Sequence, residues 1–204
     1  MSQNGHLKIN VGLLYSIMNR FLLDQEYRIA RDTPSDINEH LDLLKSLANE
    51  VNHVTEIGTR TGVSTRAFLS SDVILRAYDL SLDARVKELF KYAKDNGKDV
   101  EYIKGNILDE DIEETDLLFI DTWHCYEQLF AELTLHAPKV KKYIVFHDTQ
   151  TFGTSSECFM GQIGSNGLLP AIIHYIIKYP NTWRFKIHRT NNNGLTVIQR
   201  SNNY

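Results

Sequence analysis

Cysteine and proline are scarce in this 204-residue chain, which has two cysteines and four prolines. Cys125 and Cys158 have no metal-type spacing and form no disulfide framework, so neither a zinc-binding nor a disulfide-rich class is indicated. No apolar run approaches the ~18 residues that a membrane-spanning helix needs, and no signal-peptide pattern opens the sequence. Linkers rich in proline or glycine, internal repeats and low-complexity tracts are also missing. We therefore expect a soluble, cytoplasmic protein.

An excess of positive charge is missing as well. The chain has 26 Asp and Glu against 22 Lys and Arg, for a net charge of −4. Nucleic acids and anionic membrane surfaces attract proteins with the opposite balance. The one tight basic group is Lys139, Lys141 and Lys142, which is typical of a solvated surface. We therefore expect neither a nucleic acid nor a membrane as a partner.

The length and the 42% hydrophobic content suit one domain with a full core and are too small for two. We predict a single domain over residues 1–204, with an N-terminal helical extension at 1–32 and a core at 33–204. Residues 11–30 have apolar side chains at helical spacing. A helix ahead of the core is a candidate lid over a site, or a contact in a homodimer or higher homo-oligomer.

Strands and helices alternate from residue 53 onwards. The predicted strands of this region are His53–Ile57, Val73–Tyr78, Val100–Ile103, Asp116–Ile120 and Tyr143–Phe146. The predicted helices are Val63–Leu69, Leu82–Ala93, Tyr126–His136 and Leu168–Tyr179. Near-continuous apolar strands separated by helices indicate a parallel sheet that is covered on both faces.

Two last strands, Trp183–His188 and Leu195–Gln199, are joined by the asparagine-rich residues 190–194. Asparagine and glycine accept positive φ, which indicates a hairpin. The predicted fold class is therefore α/β: a doubly wound, mostly parallel seven-stranded sheet with a C-terminal antiparallel hairpin. Such sheets bind ligands beyond the carboxyl ends of their strands. Four acidic residues fall at those ends: Glu56, Asp79, Asp121 and Asp148.

The first predicted strand leads into a turn with two glycines, Gly58 and Gly62, ahead of a helix with Ser64 in its first turn. A dinucleotide fingerprint would have a third glycine where Arg60 stands. Glu56 would repel a pyrophosphate by roughly 1 to 4 kcal/mol at ~4 Å, whereas it would attract an ammonium. The turn thus favours a ligand with both an ammonium and a carboxylate, such as the methionine end of S-adenosylmethionine, over NAD. Asp79 suits the ribose hydroxyls of such a ligand.

Several motifs together carry a family resemblance: Thr-Pro-Ser-Asp at residues 33–36, Glu-Ile-Gly-Thr-Arg-Thr-Gly-Val-Ser at 56–64, Phe-Ile-Asp-Thr-Trp-His at 119–124, Phe-His-Asp-Thr at 146–149 and Thr-Asn-Asn-Asn-Gly-Leu-Thr at 190–196. Residues from about 33 to 200 resemble the class I S-adenosylmethionine-dependent methyltransferases. Within that class they look like small bacterial and phage O-methyltransferases that modify sugars or antibiotics.

The resemblance implies a set of cofactor contacts. It places Glu56, Gly58, Thr59, Gly62 and Ser64 at the methionine part, and Asp79 at the ribose. It places Asn106 and Ile107 at the adenine, with further contacts from Asp121 and Trp123. Many relatives have an acidic residue where Asn106 stands, so at that position the backbone is the alternative contact.

The segment from Phe119 to His124 is similar to the Asp-His-Trp-Lys segment of catechol O-methyltransferase. The resemblance implies that Asp121 is a metal ligand or polar anchor and that His124 is the general base. Asp148 matches a second metal-ligating acid, and Thr149 stands where that family has an asparagine. The predicted catalytic residues are thus His124, Asp121 and Asp148, with Asp121 and Asp148 as candidate ligands of Mg²⁺, which prefers oxygen. A helix N-terminus beside His124 is expected to keep its imidazole neutral.

Structural alternatives exist for these residues. Asp121 and Asp148 could cap the segments that follow their strands, His124 could be a surface residue at a helix start, and Trp123 could fill the core. Loop 149–166 is long and rich in glycine and serine, which is typical of a mobile substrate cover.

The function that these observations favour is methyl transfer from S-adenosylmethionine to a hydroxyl of a small-molecule acceptor, with a sugar or glycoconjugate preferred. The alternatives are a metal-assisted methyltransferase of catechols or phenols, an oxidative-tailoring role, and a protein that binds the cofactor without turning it over.

Overall fold

The structure, a computed structural model, describes residues 11–157 and 166–201, with the backbone alone for residues 11–20. Cys158 and the middle of the predicted substrate cover lie outside the described residues. The helices are α1 (Val11–Asp32), α2 (Leu41–Ala48), α3 (Val63–Leu69), α4 (Ala84–Asp95), α5 (Tyr126–His136) and α6 (Leu168–Lys178). The strands are β1 (His53–Ile57), β2 (Ile74–Asp79), β3 (Val100–Lys104), β4 (Thr115–Ile120), β5 (Val140–His147), β6 (Trp183–Arg189) and β7 (Leu195–Arg200).

The strands form one seven-stranded sheet in the order β3-β2-β1-β4-β5-β7-β6. Strands β1 to β5 are mutually parallel, and β7 runs antiparallel between β5 and β6. Successive strands are added on one side of β1 up to β3 and on its other side from β4 onwards, so the carboxyl ends of β1 and β4 flank the switch point at which doubly wound sheets bind ligands. The predicted fold class is confirmed.

Hydrophobic side chains cover both faces of the sheet. Helices α1 to α4 pack on one face through residues such as Leu23, Leu44, Phe68 and Phe90. Helices α5 and α6 pack on the other through residues such as Leu129, Leu133 and Ile172. Burial on both faces explains the near-continuous apolar strands of the sequence. Among the described residues, no helix has the length and apolar content that a membrane crossing requires.

Several element boundaries differ from the prediction by one to three residues, and two of these differences have identifiable local reasons. Helix α4 begins at Ala84 rather than Leu82, because the Asp83 side chain accepts hydrogen bonds from the backbone N–H groups of Arg85 and Val86 and so caps the helix. Strand β5 begins at Val140 rather than Tyr143. Its first residues include Lys141 and Lys142, whose charges obscure the strand pattern in the sequence.

The C-terminal half of α1 belongs to the domain core. Leu23 and Tyr27 are buried in the same hydrophobic cluster as the central strands. Polar contacts add to this packing, since Arg66 of α3 pairs with Glu26 at 3.0 Å and Lys45 of α2 pairs with Asp24 at 2.7 Å. Phe21 and Ile29 remain exposed on the outer surface.

Candidate active site

The backbones of β1 and β4 come together at Gly58. A Cβ atom at this glycine would lie 2.0 Å from the carbonyl oxygen of Asp121, and its φ is +86°. The N–H of Asp121 donates to the carbonyl of Ile57 at 2.9 Å, and the N–H of Gly58 donates to the carbonyl of Tyr78 at 2.9 Å. Only glycine meets both the steric and the φ requirement here. The turn therefore begins between the carboxyl ends of three strands.

Asp79 holds the turn in place. Its Oδ2 accepts from the backbone N–H groups of Thr59 at 3.0 Å and Arg60 at 2.9 Å, and from the Thr59 hydroxyl at 3.1 Å. Its Oδ1 accepts from the N–H of Ser81 at 3.0 Å. Arg60 is held in the left-handed region, at φ +46°. Because three donors surround Oδ2, Oδ1 is the oxygen with acceptor capacity for a ligand.

A cavity of about 650 Å³ opens beside this turn. Its size is within the range of small-molecule sites. Of the predicted cofactor contacts, the following line it: Gly58, Asp79, Asn106, Ile107, Asp121 and Trp123. Residues from the ends of β1, β2, β3 and β4 thus meet in one space, as the sequence indicated.

The other four predicted contacts lie beneath the turn rather than along the cavity. Glu56 is fully buried, and its Oε1 accepts from the Ser64 hydroxyl at 2.6 Å. Thr59 is bound to Asp79 and to the Tyr102 hydroxyl, and Gly62 packs against Val86. A direct contact of these four residues with a cofactor stays a prediction, and in this structure they support the turn. Strand β1 is buried along its whole length, and this burial includes the carboxylate of Glu56.

Glu56 is an unusual core residue because no cation faces it among the described residues. Its Oε2 has no hydrogen-bond partner there. Burial raises the pKa of Glu56 to about 8, with Asp121 and Asp79 contributing in the same direction and the Ser64 hydroxyl opposing. A carboxylate costs less in such an environment when it is protonated.

The second part of the site is an acid–histidine cluster formed by Asp121, His124, His147 and Asp148. His124 Nε2 lies 2.9 Å from Asp148 Oδ2 and 3.6 Å from Asp121 Oδ1. His147 Nδ1 lies 3.3 Å from Asp148 Oδ2 and 3.4 Å from Asp121 Oδ1. Asp148 adopts φ +58°, a left-handed conformation that aspartate tolerates better than most residues. The segment that follows is held by the β6–β7 turn, since the N–H groups of Gln150 and Thr151 donate to the carbonyl of Asn193 at 2.8 and 3.0 Å.

His124 faces acceptors on both sides of its ring. Nδ1 is hydrogen-bonded to Glu157 Oε2 at 3.0 Å, opposite the contact of Nε2 with Asp148. Burial alone would lower the pKa of His124, but the interactions with Asp121 and Asp148 raise it to about 10. The direction of this shift is opposite to the effect expected from the helix N-terminus. The neighbouring carboxylates outweigh the N-terminus of α5.

His147 joins the acid–histidine cluster to two distant segments. Its Nε2 donates to the carbonyl of Asp36 at 3.1 Å and lies 3.4 Å from the carbonyl of Asn192 in the β6–β7 turn. Burial lowers the pKa of His147, but Asp121 and Asp148 outweigh this effect and raise it to about 10. His147 was not among the predicted functional residues, although its side chain contacts both predicted acids.

The acid–histidine cluster also has the chemistry of a cation site. Single ligand atoms of Asp121, His124 and Asp148 lie within 4.8 Å of one another. Asp148 Oδ1 is buried and has no hydrogen-bond partner among the described residues, and the contact of His124 Nε2 with Asp148 is not aligned as a hydrogen bond. These residues therefore fit a divalent cation. A donor set with an imidazole nitrogen suits Mn²⁺ or other first-row transition ions better than Mg²⁺.

The positions of Asp121, His124 and Trp123 differ from those that the structural alternatives require. The residue at the N-cap of α5 is Cys125, which makes no side-chain capping bond. Asp121 instead contacts His124 and His147. The His124 side chain is 16% exposed, so it is not a surface residue. Trp123 is 46% exposed and lines the cavity, so it is not core filling.

The sequence did not single out several cavity-lining residues: Ile57, Arg60, Tyr78, Leu80, Thr122, Gln128 and Glu157. Arg60 pairs with Asp36 at 2.5 Å above the turn. Its place at the middle glycine position of a dinucleotide fingerprint was visible in the sequence, but its pairing with Asp36 was not. Gln128 and Glu157 belong to no sequence motif, and only the tertiary structure shows that they line the cavity.

No protein-family model and no curated protein matches the sequence at a significant level. Solved structures do match. A Burkholderia thailandensis 1,6-didemethyltoxoflavin-N1-methyltransferase with bound S-adenosylhomocysteine aligns with a TM-score of 0.63 at 12% identity, over 97% of this chain and 93% of that chain. A Bacillus cereus O-methyltransferase in complex with S-adenosylhomocysteine aligns with a TM-score of 0.60 at 14% identity, over 90% of this chain and 91% of that chain.

A third similar structure is the N-methyltransferase NodS from Bradyrhizobium japonicum with S-adenosylhomocysteine. Its TM-score is 0.56 at 13% identity, over 89% of this chain and 97% of that chain. At these identities the likeness concerns the fold. The strand order, the antiparallel last hairpin and the similar structures agree: this chain has the fold of the class I S-adenosylmethionine-dependent methyltransferases.

Proposed function

We propose that the protein transfers a methyl group from S-adenosylmethionine to a hydroxyl of a small-molecule acceptor, with a sugar or glycoconjugate as the favoured class. The observation that carries the proposal is one cavity of about 650 Å³ whose lining includes the Gly58 turn, Asp79 and Asp121. Asp121 belongs at the same time to the acid–histidine cluster. The proposed cofactor cavity and the acid–histidine cluster therefore have Asp121 in common.

Asp79 and Asp121 are assigned different ends of the cofactor. The ribose hydroxyls are assigned to Asp79 Oδ1, because Oδ2 is occupied by the turn. The ammonium of the methionine part is assigned to Asp121, which lines the cavity beside Gly58 where Glu56 does not. The adenine is assigned to the end formed by Asn106 and Ile107.

The reaction needs the acceptor oxygen in line with the sulfonium methyl, and it needs a place for the hydroxyl proton. Fixing the two reactants in one cavity supplies part of the barrier reduction as proximity. His124 is the proposed base, and it must first lose the proton that Asp148 and Glu157 favour. In the alternative, metal-assisted mechanism, a divalent cation held by Asp121, Asp148 and His124 would lower the pKa of an acceptor hydroxyl, and His124 would then be a ligand rather than the base.

The surroundings of the acid–histidine cluster support a polar acceptor. Asp36, Arg60 and Glu157 bring charged groups to the edge of the cavity, and these suit a ligand with several hydroxyls. A specific contact favours the second candidate, a metal-assisted methyltransferase of catechols or phenols. The Phe152 ring stacks on His124 with centroids 4.5 Å apart, which places an aromatic surface next to the proposed base.

The proposal is tested first by ligand binding and then by turnover. S-adenosylhomocysteine should raise the melting temperature of the protein and NAD should not. Labelled S-adenosylmethionine, offered with a panel of sugars, nucleotide sugars and phenols, should then label one acceptor class. A larger response to NAD would overturn the cofactor assignment. Binding of the cofactor without labelling of any hydroxylated compound would favour a non-catalytic binding protein.

A further inference from the structure

Glu132 is a buried carboxylate that the proposed chemistry does not use. It lies in α5, is 0% exposed, and forms no salt bridge within the described part of the chain. Both of its oxygens instead accept from neutral donors. The Thr122 hydroxyl lies 2.8 and 3.0 Å from the two oxygens, and Gln128 Nε2 donates to Oε1 at 2.8 Å. Carboxylates are rarely buried in this way unless the position has a use for them.

Gln128 connects this carboxylate to the cavity. It is four residues before Glu132, so the two side chains lie on the same side of the helix. Gln128 lines the cavity, whereas Glu132 is behind it. Glu132 is thus in a position to act on a ligand through Gln128 without touching it.

The adenine end of the cavity is next to the same helix. His136 Nε2 donates to the carbonyl of Ile107 at 2.9 Å, and Leu129 and Leu133 share a hydrophobic cluster with Ile107. Helix α5 therefore packs over the segment that follows β3. Gln128 belongs to this helix and lines the same cavity as Asn106 and Ile107.

A carboxamide has a donor end and an acceptor end, and its neighbours decide which way it faces. Glu132 is an acceptor toward Gln128, so it takes the NH₂ group of the amide. The carbonyl oxygen at the other corner is then directed away from Glu132. In this orientation Gln128 offers the ligand an acceptor.

We propose that Glu132 fixes the polarity of the Gln128 amide, so that the cavity accepts a base with an exocyclic amino group and discriminates against a base with an oxo group at that position. Gln128 is the contact residue and Glu132 is a positioning residue. The inference rests on the proposed cofactor, and it identifies the residues that distinguish adenine from hypoxanthine. An oxo group facing the Gln128 carbonyl would bring two acceptors together, and a site built for hydrogen bonding rejects such a mismatch strongly.

The test compares S-adenosylhomocysteine with its 6-oxo analogue, S-inosylhomocysteine, by isothermal titration calorimetry at pH 8. The wild-type protein should bind the amino form about 10- to 100-fold more tightly, which is the range for one mismatched polar contact. Gln128→Ala should reduce this ratio to near one. Glu132→Gln should reduce it by about tenfold, because a second amide can present either end to Gln128 and no longer fixes its orientation.

The matched control is Glu127→Gln, which changes the same residue type at an exposed position of the same helix and should leave the ratio unchanged. A purely structural role of Glu132 would weaken both ligands equally, and an unchanged ratio in Glu132→Gln would therefore overturn the proposal. If that variant does not fold, the ratio in Gln128→Ala decides. Equal binding of both ligands to the wild type overturns this inference alone. Binding of neither ligand overturns the proposed function.

Discussion

The backbones of Gly58 and Asp121, which follow β1 and β4, lie so close together that no side chain fits between them at position 58. A Cβ at Gly58 would lie 2.0 Å from the Asp121 carbonyl oxygen. We expect Gly58→Ala to force the two strand ends apart, to destabilise the fold by several kcal/mol and to abolish binding of S-adenosylhomocysteine. Chemical denaturation and calorimetry measure the two effects.

Gly97→Ala is the matched control for that substitution. Gly97 has a similar φ of +82°, but a Cβ there would have no neighbour within 4 Å. This variant should lose only roughly 1 to 2 kcal/mol of unfolding free energy, which is the cost of placing a non-glycine residue in the left-handed conformation. Equal losses in the two variants would show that backbone conformation alone, and not the contact with Asp121, requires glycine at 58.

Glu56 should make stability depend on pH. Its pKa is raised from the ordinary 4.5 to about 8, so the folded state binds a proton more tightly than the unfolded state between those values. The contribution of Glu56 to the free energy of unfolding is therefore at its full value below pH 4.5. It decreases as the pH rises toward 8, by up to ~1.4 kcal/mol per pH unit. Glu56→Gln cannot ionise, so it should equal the wild type near pH 5 and exceed it in stability at pH 8.5.

Urea denaturation across this pH range measures the difference between the two proteins. Glu101→Gln, at an exposed position of β3, is the control and should follow the wild type. Parallel curves for wild type and Glu56→Gln would mean that Glu56 is not buried as a protonated acid.

Asp79→Asn should separate turn support from ligand binding. The asparagine oxygen can still accept from the N–H groups of Thr59 and Arg60, but it then places an NH₂ group where Oδ1 stands. Because that NH₂ group would face the backbone N–H of Ser81, we expect a loss of ~1 to 2 kcal/mol of unfolding free energy together with a 10- to 100-fold weaker affinity for S-adenosylhomocysteine. Glu88→Gln on α4 serves as the surface control. Unchanged affinity in Asp79→Asn would remove the ribose assignment.

A divalent cation should stabilise the protein through the acid–histidine cluster. Because one of the three candidate ligands is an imidazole, we expect Mn²⁺ to raise the melting temperature more than Mg²⁺ does. Asp148→Asn should abolish that increase. Methylation of an identified acceptor should be lost with a chelator and restored by Mn²⁺. Activity that is insensitive to chelation would exclude the cation from the mechanism.

The C-terminal half of α1 should contribute to folding in the same way as a core helix. Leu23 is 3% exposed and its neighbour Leu22 is 37% exposed. Leu23→Ala should cost about 2 to 4 kcal/mol of unfolding free energy, the range for a buried leucine, and Leu22→Ala less than ~1. Similar small losses in both variants would mean that α1 is only loosely attached to the core.

The sequence predicted the fold well because the physical signals for it are local. Apolar runs identify buried strands, and Asn192 to Gly194 identify the hairpin turn. The sequence also indicated that Asp79 and Asp121 would meet, since the carboxyl ends of parallel strands share one edge. These inferences need only the order and type of elements.

The parts that the sequence did not predict depend on side-chain direction and distant partners. Glu56 lies near the end of a strand, as predicted, but the sequence did not indicate that its carboxylate would be fully buried. One hydrogen-bond partner of His124 is Glu157, which is 33 residues away in the chain. The orientation of Gln128 depends on Glu132, which in the sequence is simply one more charged residue of a helix.

The buried ring of His147 has a consequence for the order in which the molecule is assembled. It contacts Asp121 and Asp148 on one side, and on the other the backbones of Asp36 and Asn192. A single imidazole therefore contacts two backbone segments, at Asp36 and Asn192, that are more than 150 positions apart in the sequence. Loop closure over such distances is slow and comes late in folding. His147 therefore gains its contact with Asn192 only when the β6–β7 hairpin has packed against β5.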